Sequence, residues 1–331
     1  MHLVSFPSGQ TFITGEGLSL VDSAEQGGIA LPYSCRNGRC STCKCKIDGP
    51  TRIIFDELGL SDDEKKNGWK LACVRSAAGN IKLDIEDLSN LKFPKSKIYP
   101  AKIDAIDFLS RDILRVTLRL PPGRKFEFIE GQYIDLIGPD GSSRSYSLAR
   151  QFDGMMLELH VRRVTGGQMS NYLFNRANID DLLRIKGPRG TFILRHTPET
   201  DIVFLATGTG IAPVKAMLEQ IKSLPKELKP KSVKVFWGMR KPEDLYWNPE
   251  NVFTDLNFTP VLSQADKTWA GARGHVQDVM MQNSANIENV QIYACGSDEM
   301  IRSARVKTVA NGLKIKNFFS DAFVVSSKGK D

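Results

Sequence analysis

Residues 33–44 read YSCRNGRCSTCK, and this stretch decides how the first part of the chain must fold. Three of its cysteines follow the spacing C-x4-C-x2-C, and a fourth cysteine lies well downstream. Thiolates in this order are the ligands of a [2Fe–2S] cluster, and Gly38 gives the loop the freedom to wrap around one. We therefore predict that the chain carries electrons. The predicted cluster ligands are Cys35, Cys40, Cys43 and Cys73.

The spacing also decides between this cluster and its main alternative. It resembles the spacing of plant-type ferredoxins, whereas a structural zinc site usually presents two close pairs of ligands rather than three neighbours and a remote fourth. Cys45 falls outside the ligand spacing, so we expect a small packed side chain there. Cys295 belongs to a separate region of the chain.

Length and charge limit the class of protein. With 331 residues, the chain is long enough for two or three domains, each with its own core. The net charge is −2 over residues 1–90, +7 over 91–195 and +2 over 196–331. Because no basic stripe is interleaved with aromatic residues, the excess favours phosphate-bearing cofactors or an acidic partner rather than nucleic acid. Ordinary solvated surface charge is the remaining alternative.

Several other functions lack the residues they need. The chain lacks the charged N-terminal region and apolar run of a signal peptide, and no apolar stretch approaches the length of a membrane span. We therefore expect a cytoplasmic protein with no membrane span. Cytosolic thiols stay reduced and available to iron. None of the four histidines has an evident nucleophile partner, which argues against acyl-transfer or metal-hydrolase chemistry. We expect His160 to be a partnered structural or flavin-pocket residue.

Two changes in composition and periodicity divide the chain into domains. The segment SNLKFPKSKIYP at residues 89–100 mixes prolines and lysines without periodicity, as linkers do. A second boundary is expected near residues 195–200. We predict a first domain over residues 1–90, a linker over 91–99, a second domain over 100–196 and a third over 197–331.

The second and third domains have different strand patterns. Alternating apolar and polar residues predict four strands of an antiparallel barrel, at residues 113–120, 132–137, 144–149 and 156–164. After residue 200, apolar strands alternate with helices, which predicts a doubly wound parallel sheet covered on both faces. The elements predicted there are strands at 201–207, 233–238 and 290–296 and a helix at 213–223.

A motif on a predicted barrel strand points to flavin. Arg144, Tyr146 and Ser147 read R-x-Y-S, and here the sequence resembles the ferredoxin–NADP reductase superfamily. The resemblance implies that the arginine faces the FAD pyrophosphate, the tyrosine packs by the flavin and the serine hydroxyl reaches the flavin ring. A guanidinium matches phosphate oxygens in a fork, and a hydroxyl both donates and accepts. Without the other motifs, these residues are equally explained by surface and packing roles.

A second motif follows in the same predicted barrel. Gly167, Met169 and Ser170 belong to a turn that resembles the superfamily's G-x-x-S turn at a helix start. Backbone N–H groups at such a helix start can receive a pyrophosphate. The resemblance implies that this turn holds the FAD pyrophosphate, and it also implies an N-terminal β-grasp ferredoxin domain.

The third domain carries a nucleotide motif. The sequence TGTGIAP directly follows an apolar strand and opens a helix, where glycines let the backbone approach a pyrophosphate. A proline is tolerated in the first helical turn. A plain strand-to-helix turn is the structural alternative, and the resemblance implies a pyridine-nucleotide site with its adenosine side at Gly238 and Arg240. The predicted residues of the motif are Thr207, Gly208, Thr209, Gly210 and Pro213.

Two later motifs have both functional and structural interpretations. Cys295 and Gly296 resemble the superfamily's C-G turn beside the nicotinamide, although a buried structural cysteine is also common. Phe323 lies where related reductases place a carboxy-terminal aromatic against the flavin, and a core phenylalanine is the alternative. We predict that Ser147, Cys295 and Phe323 contact the reacting rings.

The order of the modules implies a direction of electron flow. It resembles reductase components in which electrons pass from a pyridine nucleotide through FAD to the [2Fe–2S] cluster and on to a partner protein. The ending NFFSDAFV and the motifs above most resemble reductases that serve a pyridoxamine-phosphate-dependent CDP-sugar 3-dehydrase in 3,6-dideoxyhexose biosynthesis for surface polysaccharide. A reductase of an aromatic-ring oxygenase is one alternative. A ferredoxin carrier or iron–sulfur sensor attached to a degenerate reductase is another, which the intact flavin and nucleotide motifs disfavour. The resemblance favours NADH, and the basic loop at residues 36–44 predicts docking that weakens with salt.

Overall fold

The computed structural model describes residues 1–249, 253, 256–283 and 287–323, and the chain divides into two compact units. The first unit contains Met1–Phe93, Gly190–Phe192 and the described part of Ser320–Asp331. The second contains Pro94–Arg189 and Ile193–Phe319, and therefore both the barrel and most of a parallel sheet.

A mixed five-stranded sheet, a two-stranded sheet and two short helices build the first unit. Its elements are β1 (Leu3–Ser5), β2 (Thr11–Ile13), α1 (Leu20–Gln26), β3 (Lys44–Asp48), β4 (Thr51–Ile53), α2 (Asp62–Lys66), β5 (Trp69–Leu71), β6 (Arg75–Ala77) and β7 (Ile81–Asp84). The sheet order is β2-β1-β7-β3-β5, with β1 and β7 parallel, and β4 pairs separately with β6. The Ser19 hydroxyl caps α1 by accepting from Asp22 N at 3.0 Å.

The second unit begins with a closed antiparallel barrel. Its elements are β8 (Lys97–Ser110), β9 (Ile113–Arg119), β10 (Tyr133–Ile137), β11 (Ser143–Phe152), β12 (Met156–Arg162), α3 (Gln168–Asn175) and β13 (Leu182–Arg189). The strands close in the order β10-β11-β12-β9-β8-β13. The alternation in the sequence predicted four of these strands, because one face of each packs into the barrel core and the other does not.

A parallel sheet follows the barrel. Its elements are β14 (Asp201–Thr207), α4 (Ile211–Ser223), β15 (Ser232–Met239), β16 (Asn257–Leu262), β17 (Ala272–Arg273), α5 (Val276–Gln282), β18 (Val290–Gly296), α6 (Asp298–Ala310) and β19 (Phe318–Ala322). The sheet order is β17-β16-β15-β14-β18-β19, so the chain turns back at β14 and β18. Ligands of such sheets bind at the carboxyl ends of the strands where the order reverses.

Short 3₁₀ helices connect several of these elements. They are Ala72–Val74, Gly208–Gly210, Lys226–Leu228, Pro242–Asp244 and Ile315–Asn317. The fold class predicted from the sequence is confirmed by this topology: a first domain with a mixed sheet, a closed antiparallel barrel and a parallel-sheet domain. Among the helices of the described residues, none is long and apolar enough to cross a membrane.

Candidate electron-transfer site

The four predicted cluster ligands lie in two pairs. Cys35 N donates to Cys40 Sγ at 3.4 Å, and Cys40 N donates to Cys35 Sγ at 3.3 Å. A hydrogen bond between the two thiols raises the pKa of Cys35 and lowers that of Cys40, to about 5. Cys43 shares a hydrogen bond with Cys73 in the same way, which raises the pKa of Cys43.

This pairing fits a two-iron group. Two separate thiol pairs are the donor set that a [2Fe–2S] cluster needs, because each of its two irons takes two thiolates. Three of the four thiols are buried, and Cys35 is half-buried.

Several residues of the loop around the cysteines adopt backbone conformations with positive φ. Gly38 has a φ of +73°, and a Cβ on it would lie 2.3 Å from the carbonyl oxygen of Asp56. Arg36 and Ser41 also adopt positive φ, at 54° and 60°. Such conformations are costly for residues with side chains. Within this loop, backbone N–H groups donate to the sulfurs of Cys35 and Cys40.

Cys45 has different surroundings from the four predicted ligands. It lies on β3, fully buried in the core of the first unit, with its Sγ 3.6 Å from the carbonyl oxygen of Lys70. Burial raises its pKa to about 12. This thiol packs as a small apolar side chain, the environment that the sequence predicted.

The R-x-Y-S residues lie together on β11. Arg144 is opposite Leu136 and Tyr146 is opposite Ile134 on the neighbouring strand β10. The Tyr146 ring packs partly against the barrel core, and burial raises its pKa. Ser147 is buried, whereas Arg144 is half-exposed. The strand thus presents a guanidinium, a phenol and a hydroxyl within four consecutive residues.

The G-x-x-S turn begins helix α3. Gly167 is the N-cap, and no side chain in the described residues caps the helix there. The Ser170 hydroxyl accepts from Val164 N at 3.2 Å and holds the preceding turn. Met169 is buried in the barrel core, so only its backbone can face a ligand. An uncapped helix start of this kind suits a pyrophosphate.

The nucleotide motif lies at the carboxyl end of β14, where the strand order reverses. Gly210 lies so close to β18 that a Cβ on it would be 2.3 Å from the carbonyl oxygen of Cys295. Gly296 ends β18, and Ser297 N donates to the Thr207 hydroxyl at 2.9 Å. Strands β14 and β18 therefore meet at the position where parallel sheets bind nucleotides.

The other residues of the motif continue into helix α4. Gly208 has a φ of +56°, and its carbonyl oxygen accepts from Trp237 Nε1 at 2.9 Å. Thr209 is buried, and Pro213 lies in the first turn of α4, where its missing N–H is tolerated. The turn between β14 and α4 is thus held from the side of β15.

The expected adenosine side lies on the next strand. Gly238 is paired with Thr207, and Arg240 is exposed just after β15 ends. Asp244 Oδ2 accepts from Lys241 N at 3.1 Å, which holds a carboxylate near the end of this strand. Both a guanidinium and a carboxylate are therefore available here.

The surroundings of two residues that were predicted to contact the reacting rings fit both a functional and a structural role. Cys295 is fully buried on β18, and Phe323 is half-buried directly after β19. Both the functional and the structural interpretation of these two residues stay open, and their contact with a ring stays a prediction.

A buried polar network that the motifs did not indicate joins the barrel to the parallel-sheet domain. His160 Nε2 lies 2.8 Å from Glu158 Oε1, and His160 Nδ1 lies 3.1 Å from the Tyr246 hydroxyl. Lys215 Nζ donates to the same Glu158 oxygen at 2.5 Å. Burial lowers the pKa of His160, and Glu158 only partly offsets this. Glu158 and His160 lie two residues apart on β12 and so share one face of the strand, but their partners come from distant positions that strand alternation does not indicate.

The comparisons with known proteins agree with this geometry. Residues 5–77 match a 2Fe-2S iron-sulfur cluster binding domain, residues 100–193 an oxidoreductase FAD-binding domain and residues 204–306 an oxidoreductase NAD-binding domain. The predicted cofactor classes are confirmed by these matches. The domain boundaries drawn from the sequence stay predictions.

Relatives match this chain over nearly all of its residues. The chain is 38% identical over 325 residues to the CDP-6-deoxy-L-threo-D-glycero-4-hexulose-3-dehydrase reductase of Yersinia pestis, covering 97% of each chain. It is 30% identical to terephthalate 1,2-dioxygenase reductase component 1 of Comamonas, covering 96% of each. The crystal structure of the Amycolatopsis cytochrome P450 reductase GcoB matches with a TM-score of 0.76 at 25% identity, covering 99% of this chain and 100% of that one. The chain therefore belongs to the family of ferredoxin–NADP reductase-type oxidoreductases that carry an N-terminal [2Fe–2S] ferredoxin domain.

Proposed function

We propose that this reductase delivers electrons from NADH to a pyridoxamine-phosphate-dependent CDP-6-deoxy-hexulose 3-dehydrase in the cytoplasm, for 3,6-dideoxyhexose biosynthesis. The coarser part of this statement follows from the family: the protein is an electron-transfer oxidoreductase that uses a pyridine nucleotide, FAD and a [2Fe–2S] cluster. The observation that carries the finer part is the 38% identity, over 97% of both chains, to a relative named for that dehydrase.

The bound groups supply the redox chemistry: the nucleotide gives a hydride, the flavin accepts two electrons, and the cluster carries single electrons. The protein's own residues bind and orient these groups. We propose that Cys35, Cys40, Cys43 and Cys73 hold the cluster while Cys45 does not. The two thiol pairs and the sulfur-directed N–H groups support this assignment.

For the flavin, we propose that Arg144 binds the pyrophosphate, Tyr146 packs against the flavin and Ser147 hydrogen-bonds its ring. Gly167, Met169 and Ser170 contribute the uncapped start of α3 to the same pyrophosphate. The placement of the first three residues on one strand supports this proposal, and so does the side chain of Met169, which is turned into the core and leaves the backbone to face the ligand.

For the nucleotide, we propose that the residues of the turn between β14 and α4 hold the pyrophosphate, with Gly238 and Arg240 on the adenosine side and Cys295 and Gly296 beside the nicotinamide. The turn residues are Thr207, Gly208, Thr209, Gly210 and Pro213. The close approach of Gly210 to β18 supports a site at this reversal of strand order. We propose that Phe323 stacks on the flavin.

The preference for NADH over NADPH depends on the end of β15. Arg240 and Lys241 could pair with a 2′-phosphate, whereas the Asp244 carboxylate, held by Lys241 N, would repel one. We propose that the carboxylate decides and that NADH is preferred. Stopped-flow reduction of the flavin with each coenzyme tests this, and faster reduction at lower concentration by NADPH reverses the assignment.

The partner is tested by reconstitution. Purified reductase, the dehydrase, its CDP-hexulose substrate and NADH should together form the 3-deoxy product. A parallel reaction replaces the dehydrase with the oxygenase component of terephthalate 1,2-dioxygenase and terephthalate. Efficient turnover coupled to oxygen use in that reaction, with none in the first, would favour the oxygenase alternative that the 30% identical relative represents.

A further inference from the structure

Three large apolar side chains lie in solvent close to the cysteine loop. Ile53, Phe55 and Leu58 are 58%, 63% and 49% exposed, and we call these three residues the cluster-side patch. Single exposed apolar residues are ordinary on protein surfaces. Three within one short segment are grouped, and grouped exposed apolar residues often mark an interaction site. Aromatic side chains in particular are enriched at the centres of protein interfaces.

The segment that carries the patch is bonded directly to the loops that hold the cysteines. Gly59 N donates to Gly38 O at 2.7 Å, and the Ser41 hydroxyl donates to Gly59 O at 2.5 Å. On the other side, Ile54 N donates to Val74 O at 2.8 Å, one residue beyond the fourth cysteine. The patch therefore lies between the two chain segments that supply all four thiols.

A buried ion pair holds this segment in place. Glu57 accepts two hydrogen bonds at 2.7 Å from the Arg75 guanidinium and one at 2.7 Å from Leu71 N. Burial raises the pKa of Glu57, but the Arg75 and Leu71 hydrogen bonds lower it by more, so the carboxylate stays charged. Because Glu57 lies between Phe55 and Leu58, both patch residues are attached to a constrained backbone.

The charge near the cluster is less positive than the sequence of the loop indicates. Arg36 pairs with Asp22 and Glu25, each at 2.7 Å, and Lys44 pairs with Glu64 at 2.6 Å. These carboxylates neutralise two of the three basic residues in the loop. These two cations therefore add little to long-range attraction, and the exposed apolar side chains offer a second source of affinity beside the loop.

We propose that the cluster-side patch is the surface on which the electron-acceptor protein docks, and that the acceptor presents an apolar surface with a polar rim to it. This inference rests on the proposed function in one respect, that electrons leave through the cluster. A single electron moves between proteins only when donor and acceptor groups come close. A constrained apolar surface beside the cysteine loops brings the acceptor to that position.

The test is the double variant Phe55→Ser with Leu58→Ser. Its Kd for the dehydrase, measured by calorimetry, and its KM for the dehydrase should both rise about tenfold. Shortening a large side chain at the centre of an interface typically weakens binding by about this factor. The visible spectrum of the cluster and its reduction by NADH should match those of the wild type. The matched control is Ile13→Ser, which removes a 55% exposed side chain on β2, the sheet edge opposite β5. The control should bind like the wild type.

Other outcomes overturn the proposal or separate it from the choice of partner. The double variant could bind with an unchanged Kd while wild-type binding weakens steeply as salt rises. That result would show electrostatic docking at another surface and would overturn the proposal. A wild-type dimer in sedimentation that the double variant abolishes shows that the patch joins two copies, which also overturns it. If the wild type reduces the oxygenase component and not the dehydrase, the proposed partner is wrong. The same variants are then measured with the oxygenase component. An equal KM for the wild type and the double variant would overturn the assignment of the patch as a docking surface.

Discussion

Lys215 Nζ on α4 lies 2.5 Å from Glu158 Oε1 on β12, and the side chains are 13% and 4% exposed. Helix α4 begins directly after the nucleotide motif, and β12 belongs to the barrel. The pair therefore ties the helix of one binding motif to the wall of the other domain. His160 and Tyr246 extend the connection, because Tyr246 packs edge-on against Trp237, whose Nε1 holds Gly208.

Removing the lysine should destabilise this connection strongly. Lys215→Met leaves a buried carboxylate without its cation, which typically costs about 3 kcal/mol. The control is Arg150→Met, because Arg150 pairs with Glu219 of the same helix in a much more exposed setting and should cost at most about 1 kcal/mol. Thermal melting of both variants checks this. Equal melting temperatures in the two variants would show that burial does not set the strength of the pair.

The same carboxylate predicts how stability depends on pH. Burial raises the pKa of Glu158, but His160 and Lys215 lower it by more, from 4.5 to about 2. Because the folded pKa lies below the unfolded one, the stabilisation is present above pH 4.5 and is lost as the pH falls from there towards 2. The difference in melting temperature between the wild type and Glu158→Gln should be constant from pH 5 to 8 and shrink below pH 4.5. A constant difference down to pH 3 contradicts this.

The cluster ligands are checked by two serine variants. Cys73→Ser removes a soft thiolate ligand, so it should lose the visible and paramagnetic signals of the [2Fe–2S] centre and keep its flavin. Cys45→Ser should keep both, since Cys45 lies in the core on β3. Electron paramagnetic resonance of the two reduced variants decides. Loss of the signal from Cys45→Ser and retention by Cys73→Ser would reverse the assignment.

The flavin site is checked at Arg144. Arg144→Ala should weaken FAD binding about tenfold or more, because hydrogen bonds to charged groups contribute about 1.5–3 kcal/mol. Arg150→Ala changes another arginine of the same strand that pairs with Glu219, so it should retain FAD. Flavin content after gel filtration measures the effect. Full occupancy and an unchanged reduction rate in Arg144→Ala would remove this residue from the site.

Local patterns predicted much of the fold and the motifs. Strands β9 to β12, β14, β15 and β18 were evident because alternation and apolar runs report which faces are buried. The four cysteines were evident because cluster chemistry demands a spacing. The Glu158–Lys215 pair was not, since nothing in the spacing of β12 and α4 indicates that they meet. The ion pairs of Arg36 and Lys44 were missed for the same reason, so the cysteine loop looked more basic than it is.

The central claim, that electrons leave through the cluster to the dehydrase, is tested most directly by a single-turnover experiment. Reductase reduced with NADH in the absence of oxygen is mixed with the dehydrase and its CDP-hexulose substrate, and the absorption of the cluster is followed with time. We expect reoxidation of the cluster together with formation of the 3-deoxy product in the wild type, and neither in Cys73→Ser, whose flavin is still reduced by NADH. Product formation by Cys73→Ser at the wild-type rate would contradict the account.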